Sequence, residues 1–177
     1  MKNITIIFDK TMRMSDLVDA DFNLLLLLNK LDISLGFGDK SVAEVCKENN
    51  FNADCFLFLA NFQSNKSITN VEKEFEKLPL EPFLVYLKKS HTYFLDRRLP
   101  NIRRKLELVF ASLDKKLQNV VLNFFDNYTK EVLDHMQYED EVVFPYVRSL
   151  INETPDNKYS INIFEERHTD IEGKMTV

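Results

Sequence analysis

The sequence predicts an all-α fold, in which a small N-terminal three-helix domain is followed by an antiparallel helix bundle, and three observations predict it. Glycine and proline are scarce, three and five in 177 residues, whereas Leu, Lys and Glu are plentiful. Apolar residues recur at three- and four-residue intervals over long stretches. Helix-start signals precede some of those stretches, as Ser41 with Glu44 and Asn52 do. With 45% apolar residues the chain can fill a core, and its length allows one ordinary domain or two small ones.

Ile4 to Phe8 is a β-favouring run, readable as a short strand or as an apolar arm laid on the core. A helix is expected from about Ser15 to Leu31, with Leu17, Val18, Phe22, Leu25, Leu26 and Leu28 on its apolar face. It ends before Gly36 and Gly38, which can take positive φ. The capping box of Ser41 and Glu44 opens a second helix through Val42, Val45 and Cys46, and Asn52 opens a third carrying Cys55, Phe56, Leu59 and Phe62. Residues 1–63 therefore read as one small helical domain. Residues 64–81 are polar, close on Leu78-Pro79-Leu80-Glu81-Pro82 and read as a linker with helical character around Val71 to Lys77.

Residues 82–177 form the second domain. Pro82 suits a first turn, and a helix should run to about Leu113 with Leu84, Leu87, His91, Phe94 or Leu95, and Leu99 in one stripe. Pro100 should kink it rather than end it, because Ile102, Leu106, Val109, Phe110 and Leu113 continue an apolar face. From about Lys116 a further helix places Val120, Val121, Phe124, Tyr128, Val132, His135, Glu139 and Val143 on one side and either bends near Pro145, continuing to about Leu150, or ends there. After a loop at 152–158, a last helix carries Ile161, Phe164, His168, Ile171, Glu172 and Met175 on one face.

The formal net charge of −5 argues against a nucleic-acid partner, and Arg97, Arg98, Arg103, Arg104 and Lys105 read as a solvated helix face. Cys46 and Cys55 have neither zinc-knuckle spacing nor the number of a secreted disulfide scaffold. No secretory leader is legible, and the longest leucine run, Leu24 to Leu28, is too short to cross a bilayer. A cytoplasmic protein without a membrane partner is expected. The chain has no nucleophile–base pair for hydrolysis, no phosphate loop and no dinucleotide fingerprint.

His135 and Glu139 are four apart, so on a helix both can reach one metal ion, although such a pair is also an ordinary surface contact. The three histidines, His91, His135 and His168, fall on three expected helices, each on the apolar stripe. A buried imidazole needs partners for both nitrogens, and a shared metal at the centre of a bundle supplies one of them. His168 also has a carboxylate four residues on, Glu172. Imidazole with carboxylate and no thiolate suits non-haem iron or manganese better than structural zinc.

The run Ser90-His91-Thr92-Tyr93-Phe94-Leu95-Asp96-Arg97-Arg98-Leu99-Pro100, then His135 with Glu139 before Val143-Phe144-Pro145, then Glu165 to Glu172, resembles the first three helices of a hemerythrin-like domain. More narrowly it resembles the di-iron proteins implicated in repairing iron-sulphur clusters damaged by nitric oxide or oxidants, whose small N-terminal domain is similar to residues 15–63.

The resemblance implies His91, His135 and His168 as terminal iron ligands, Glu139 as a bridge between two irons, and Glu172 as a further carboxylate. It implies O2 or NO as small ligands and damaged iron-sulphur proteins as partners. The alternative is an O2- or NO-sensing or protein-interaction module with a partial or vestigial metal site. Phe94, Tyr128, Phe144 and Phe164 would wall the site off from water. Two departures stand out: Ser34-Leu35-Gly36-Phe37-Gly38 occupies the place of the family's adjacent cysteine pair, and no fourth helix with a further histidine and bridging carboxylate follows Glu172. The expectation is therefore three of four bundle helices, an incomplete site for one or two metals, and a homo-oligomer contacting through the groove left open.

Overall fold

A computed structural model describes residues 7–64, 71–154 and 159–164, and among these the regular elements are helical, with no strand. The chain divides into two compact units, residues 1–90 and 91–177.

The first unit holds α1 (Met14–Ala20), α2 (Leu24–Lys30), α3 (Val42–Glu48), α4 (Ala53–Gln63), α5 (Val71–Phe75) and the larger part of α6 (Glu81–Tyr93). Met14, Leu17, Leu24, Leu27, Leu28, Val42, Val45 and Phe56 make its buried centre. The single helix expected over 15–31 is two. Asp21 turns extended and its carboxylate accepts from Asn23 N and Nδ2, at 3.0 and 2.9 Å, in a local turn that competes with the helix. The break re-phases α2: Leu24 and Leu27 are buried, while Phe22 is 70% exposed and Leu25 also faces out, contrary to the expected stripe.

The caps form as expected. Ser41 and Glu44 bond reciprocally at the start of α3, and Asn52 Oδ1 accepts from Asp54 N and Cys55 N to open α4. Gly36 and Gly38 take φ of +95° and +58°. Phe8, the end of the β-favouring run, is buried on α4: Asn61 Oδ1 accepts its N–H at 2.8 Å while Asn61 Nδ2 donates to its carbonyl at 3.1 Å. Residues 4–6 of that run lie outside the described residues. On α6, Lys89 donates to Leu31 O at the C-terminal end of α2 and pairs with Asp32 at 2.6 Å, a favourable place for a cation. Cys46 and Cys55 are free and buried.

The second unit begins at His91 on α6 and continues through a first π turn (Phe94–Arg98), α7 (Leu99–Val109), α8 (Lys115–Tyr138), a second π turn (Glu139–Val143) and α9 (Phe144–Ile151). Each π turn stands just before a proline, Pro100 or Pro145, which has no N–H to donate. The backbone widens by one residue ahead of it, with Leu99 N–H reaching Phe94 O and Phe144 N–H reaching Glu139 O. The expected bends at the two prolines thus take the form of π turns through which the helix carries on.

Leu99, Phe125 and Val132 form the buried cluster between α7 and α8, with Phe94, Leu95, Leu106, Tyr128 and Met136 against it. Arg103 is not a free solvated charge: it donates to both oxygens of Asp126 on α8, at 2.8 and 3.2 Å, and pairs with Glu107. The expected face of α8 holds from Tyr128 onward, through Val132, His135, Glu139 and Val143, and is corrected only in its first turns. Phe125 is buried because α7 packs against the stripe of residues 125, 128, 132 and 136, whereas Phe124 is 76% exposed and Val120 also faces out. Near the end of α8, Tyr138 OH donates to Tyr159 OH at 3.0 Å and the Tyr146 ring meets Tyr159 edge-on. Among the described residues no helix is long and apolar enough to cross a membrane.

Candidate metal centre

His91 lies in the last turn of α6, and at 8% exposure it is one of two buried polar side chains among the described residues. Both ring nitrogens face carboxylates: Nε2 is 3.1 Å from Glu139 Oε2 and Nδ1 is 3.1 Å from Asp140 Oδ1. One ring face stacks on Phe144, with centroids 5.5 Å apart and planes 21° from parallel. An ionised carboxylate only accepts, so each ring nitrogen of this arrangement donates. Burial by itself depresses the His91 pKa, but the hydrogen bond and charge of Glu139, joined by Asp140, outweigh it and hold the group above its ordinary 6.5.

Glu139 is where two elements converge. It closes α8 and opens the second π turn, one helical turn beyond His135. Its Oε1 stands 3.5 Å from His135 Nε2 while its Oε2 serves His91, so a single carboxylate faces imidazoles from two helices. The three side chains are 10%, 16% and 13% exposed for His91, His135 and Glu139, which leaves a mostly dry polar knot.

The structure thus brings together His91, His135 and Glu139 of the expected ligands. His168 and Glu172 lie outside the described residues. Among the described residues no three or more His, Cys, Asp or Glu side chains already form a group that could hold a metal ion; the two imidazoles meet through the Glu139 carboxylate instead. The donor set still fits a cation. Two imidazole nitrogens and a carboxylate suit non-haem iron or manganese. Ligands about 2.1 Å from one ion and at right angles stand about 3 Å apart, close to the 3.1 and 3.5 Å found here.

Of the expected dry wall, Phe144 covers His91, whereas Phe94 and Tyr128 pack into the Leu99 cluster. Asp140 was not among the expected site residues. Its only signal in the sequence is adjacency to Glu139, and on a regular helix adjacent side chains diverge by about 100°.

A family model described as hemerythrin HHE cation binding domain matches residues 84–177. No curated protein and no solved structure matches the chain.

Proposed function

Because this chain belongs to the hemerythrin family of HHE cation-binding domains, we propose that His91, His135 and Glu139 hold a non-haem iron ion in a protein of nitrosative and oxidative stress defence. The observation that carries the reading is the single carboxylate facing two imidazoles from different helices, His91 buried and His135 half-buried. Iron held there supplies one-electron chemistry toward O2 or NO.

The residues of the chain do the rest. Glu139, with an oxygen toward each imidazole, is the group able to keep both in place as protons leave and a cation enters. Phe144 shields one face of His91 from water. His168 and Glu172 would complete the set of residues able to hold a second iron, together with Glu139. The finer role proposed is repair of damaged iron-sulphur clusters or donation of iron to them. The free, buried thiols Cys46 and Cys55 accord with the reducing cytoplasm in which that role belongs.

Anaerobic loading with ferrous iron, followed by metal analysis and a visible spectrum after O2 or NO, tests the reading. Bound iron with a spectral change on either gas is expected, and His135→Ala should lose most of the iron. Unchanged iron content in that variant overturns the assignment. Absence of iron in the loaded wild-type protein would leave the interaction-module reading in its place. The repair role further requires that reactivation of a damaged iron-sulphur enzyme depend on the iron this protein carries.

A further inference from the structure

An imidazole that gives one nitrogen to a cation is held in place by what its other nitrogen meets, and for His91 that partner comes from the second π turn. Glu139 and Asp140 are consecutive, yet both reach the same ring, one at each nitrogen. Phe144, five residues after Glu139, lies against the face of that ring. On a regular helix a residue five positions on is turned by about 140°. A π turn, closing its hydrogen bonds from i to i+5, brings such residues to the same side, and Phe144 N–H does bond Glu139 O. The widened turn is therefore what lets two carboxylates and an aromatic ring enclose one histidine.

Of the two carboxylates, Glu139 is shared with His135, whereas Asp140 faces the nitrogen of His91 that points away from Glu139. We propose that Asp140 is a positioning residue: its carboxylate accepts the Nδ1–H of His91, which fixes the ring and leaves Nε2 as the nitrogen offered to a cation. This rests on the reading of His91 as a ligand. A carboxylate in this position orients the imidazole and makes its ligating nitrogen a better donor, and losing such a partner typically weakens metal affinity about 10- to 100-fold.

The test uses the full chain carrying Asp140→Ala, Asp140→Glu or His91→Ala, with two readouts. One is the nitrogen NMR spectrum of the His91 ring in the metal-free protein, which identifies the hydrogen-bonded nitrogen. The other is titration with cobalt(II) alone, followed by its visible absorption. Asp140→Ala should abolish the signature of a bonded Nδ1–H and weaken cobalt binding about 10- to 100-fold, with Asp140→Glu restoring most of both. A purely structural role would leave the ring signature of a folded Asp140→Ala protein unchanged. That result, with cobalt affinity as in wild type, overturns the proposal while a weakened His91→Ala variant keeps the ligand reading standing. Wild-type cobalt affinity in His91→Ala removes the ligand reading itself, and the proposal with it.

Discussion

Glu139 shows how much one side chain can be asked to do, since each of its oxygens has a separate imidazole to face. Replacing it with Ala strands the Nε2–H of a buried His91, which should cost about 1–3 kcal/mol in urea unfolding of the metal-free protein and remove its cation binding. Asn61 is a comparable case in the first unit. Its amide imitates a neighbouring strand for Phe8, so Asn61→Ala should cost about 1–3 kcal/mol by leaving a buried N–H without an acceptor. Neither pairing was legible in the sequence, because partners 48 and 53 positions apart leave no local trace. The buried thiols give a pH dependence. Burial pushes Cys46 up to about 12 from an ordinary 9.0. Between those values the unfolded chain releases a proton that the folded chain keeps, so this contribution to stability is intact below about pH 9 and falls as pH rises. The gap in urea midpoint between wild type and Cys46→Ala should therefore shift against wild type from about pH 8 to about pH 10; a constant gap would show that burial does not hold this thiol protonated.

Elements were legible where their signals are local. The capping box at Ser41 and the Asn52 cap both form, and Ser41→Ala should cost about 1 kcal/mol as read from denaturant midpoints. The prolines at 100 and 145 interrupt their helices without ending them, in keeping with the apolar faces that continue past each. The re-phasing of α2 and the exchange of Phe124 for Phe125 on α8 escape the sequence for a common reason. Leu24 to Leu28 is apolar on every side, and Phe124 and Phe125 are adjacent, so the pattern leaves the buried face open and packing selects it. The π turns leave no mark in composition, since a widening by one residue changes only which side later residues occupy. Deleting Val142 should return the second turn to regular winding and carry Phe144 away from His91. Helix content by circular dichroism should hardly change, while cation affinity should fall about 10-fold, the scale of a lost supporting contact. Unchanged affinity would mean that the winding of this turn is incidental to the site.

At the scale of the molecule, the described residues of the two units differ in how much core they bring. Among them the first unit buries a cluster of 14 apolar side chains, and the second buries five, Leu99, Phe125, Val132, Val143 and Phe144. Urea should therefore unfold residues 91–177 before residues 1–90 in the metal-free protein. A cation bound only by the folded second unit should raise the first transition alone, by about 2.7 kcal/mol at a hundredfold excess over its dissociation constant; a single transition that moves as a whole would count against two independent units. The tyrosines bear on how such an experiment would look. Tyr138, Tyr146 and Tyr159 meet in the second unit, Tyr93 and Tyr128 belong to it as well, and Tyr86 alone of the six precedes residue 91 in a chain without tryptophan. Intrinsic ultraviolet emission from this protein is accordingly a lamp lit almost wholly in one unit: it should brighten or dim with the weaker transition and stay nearly dark to the stronger one.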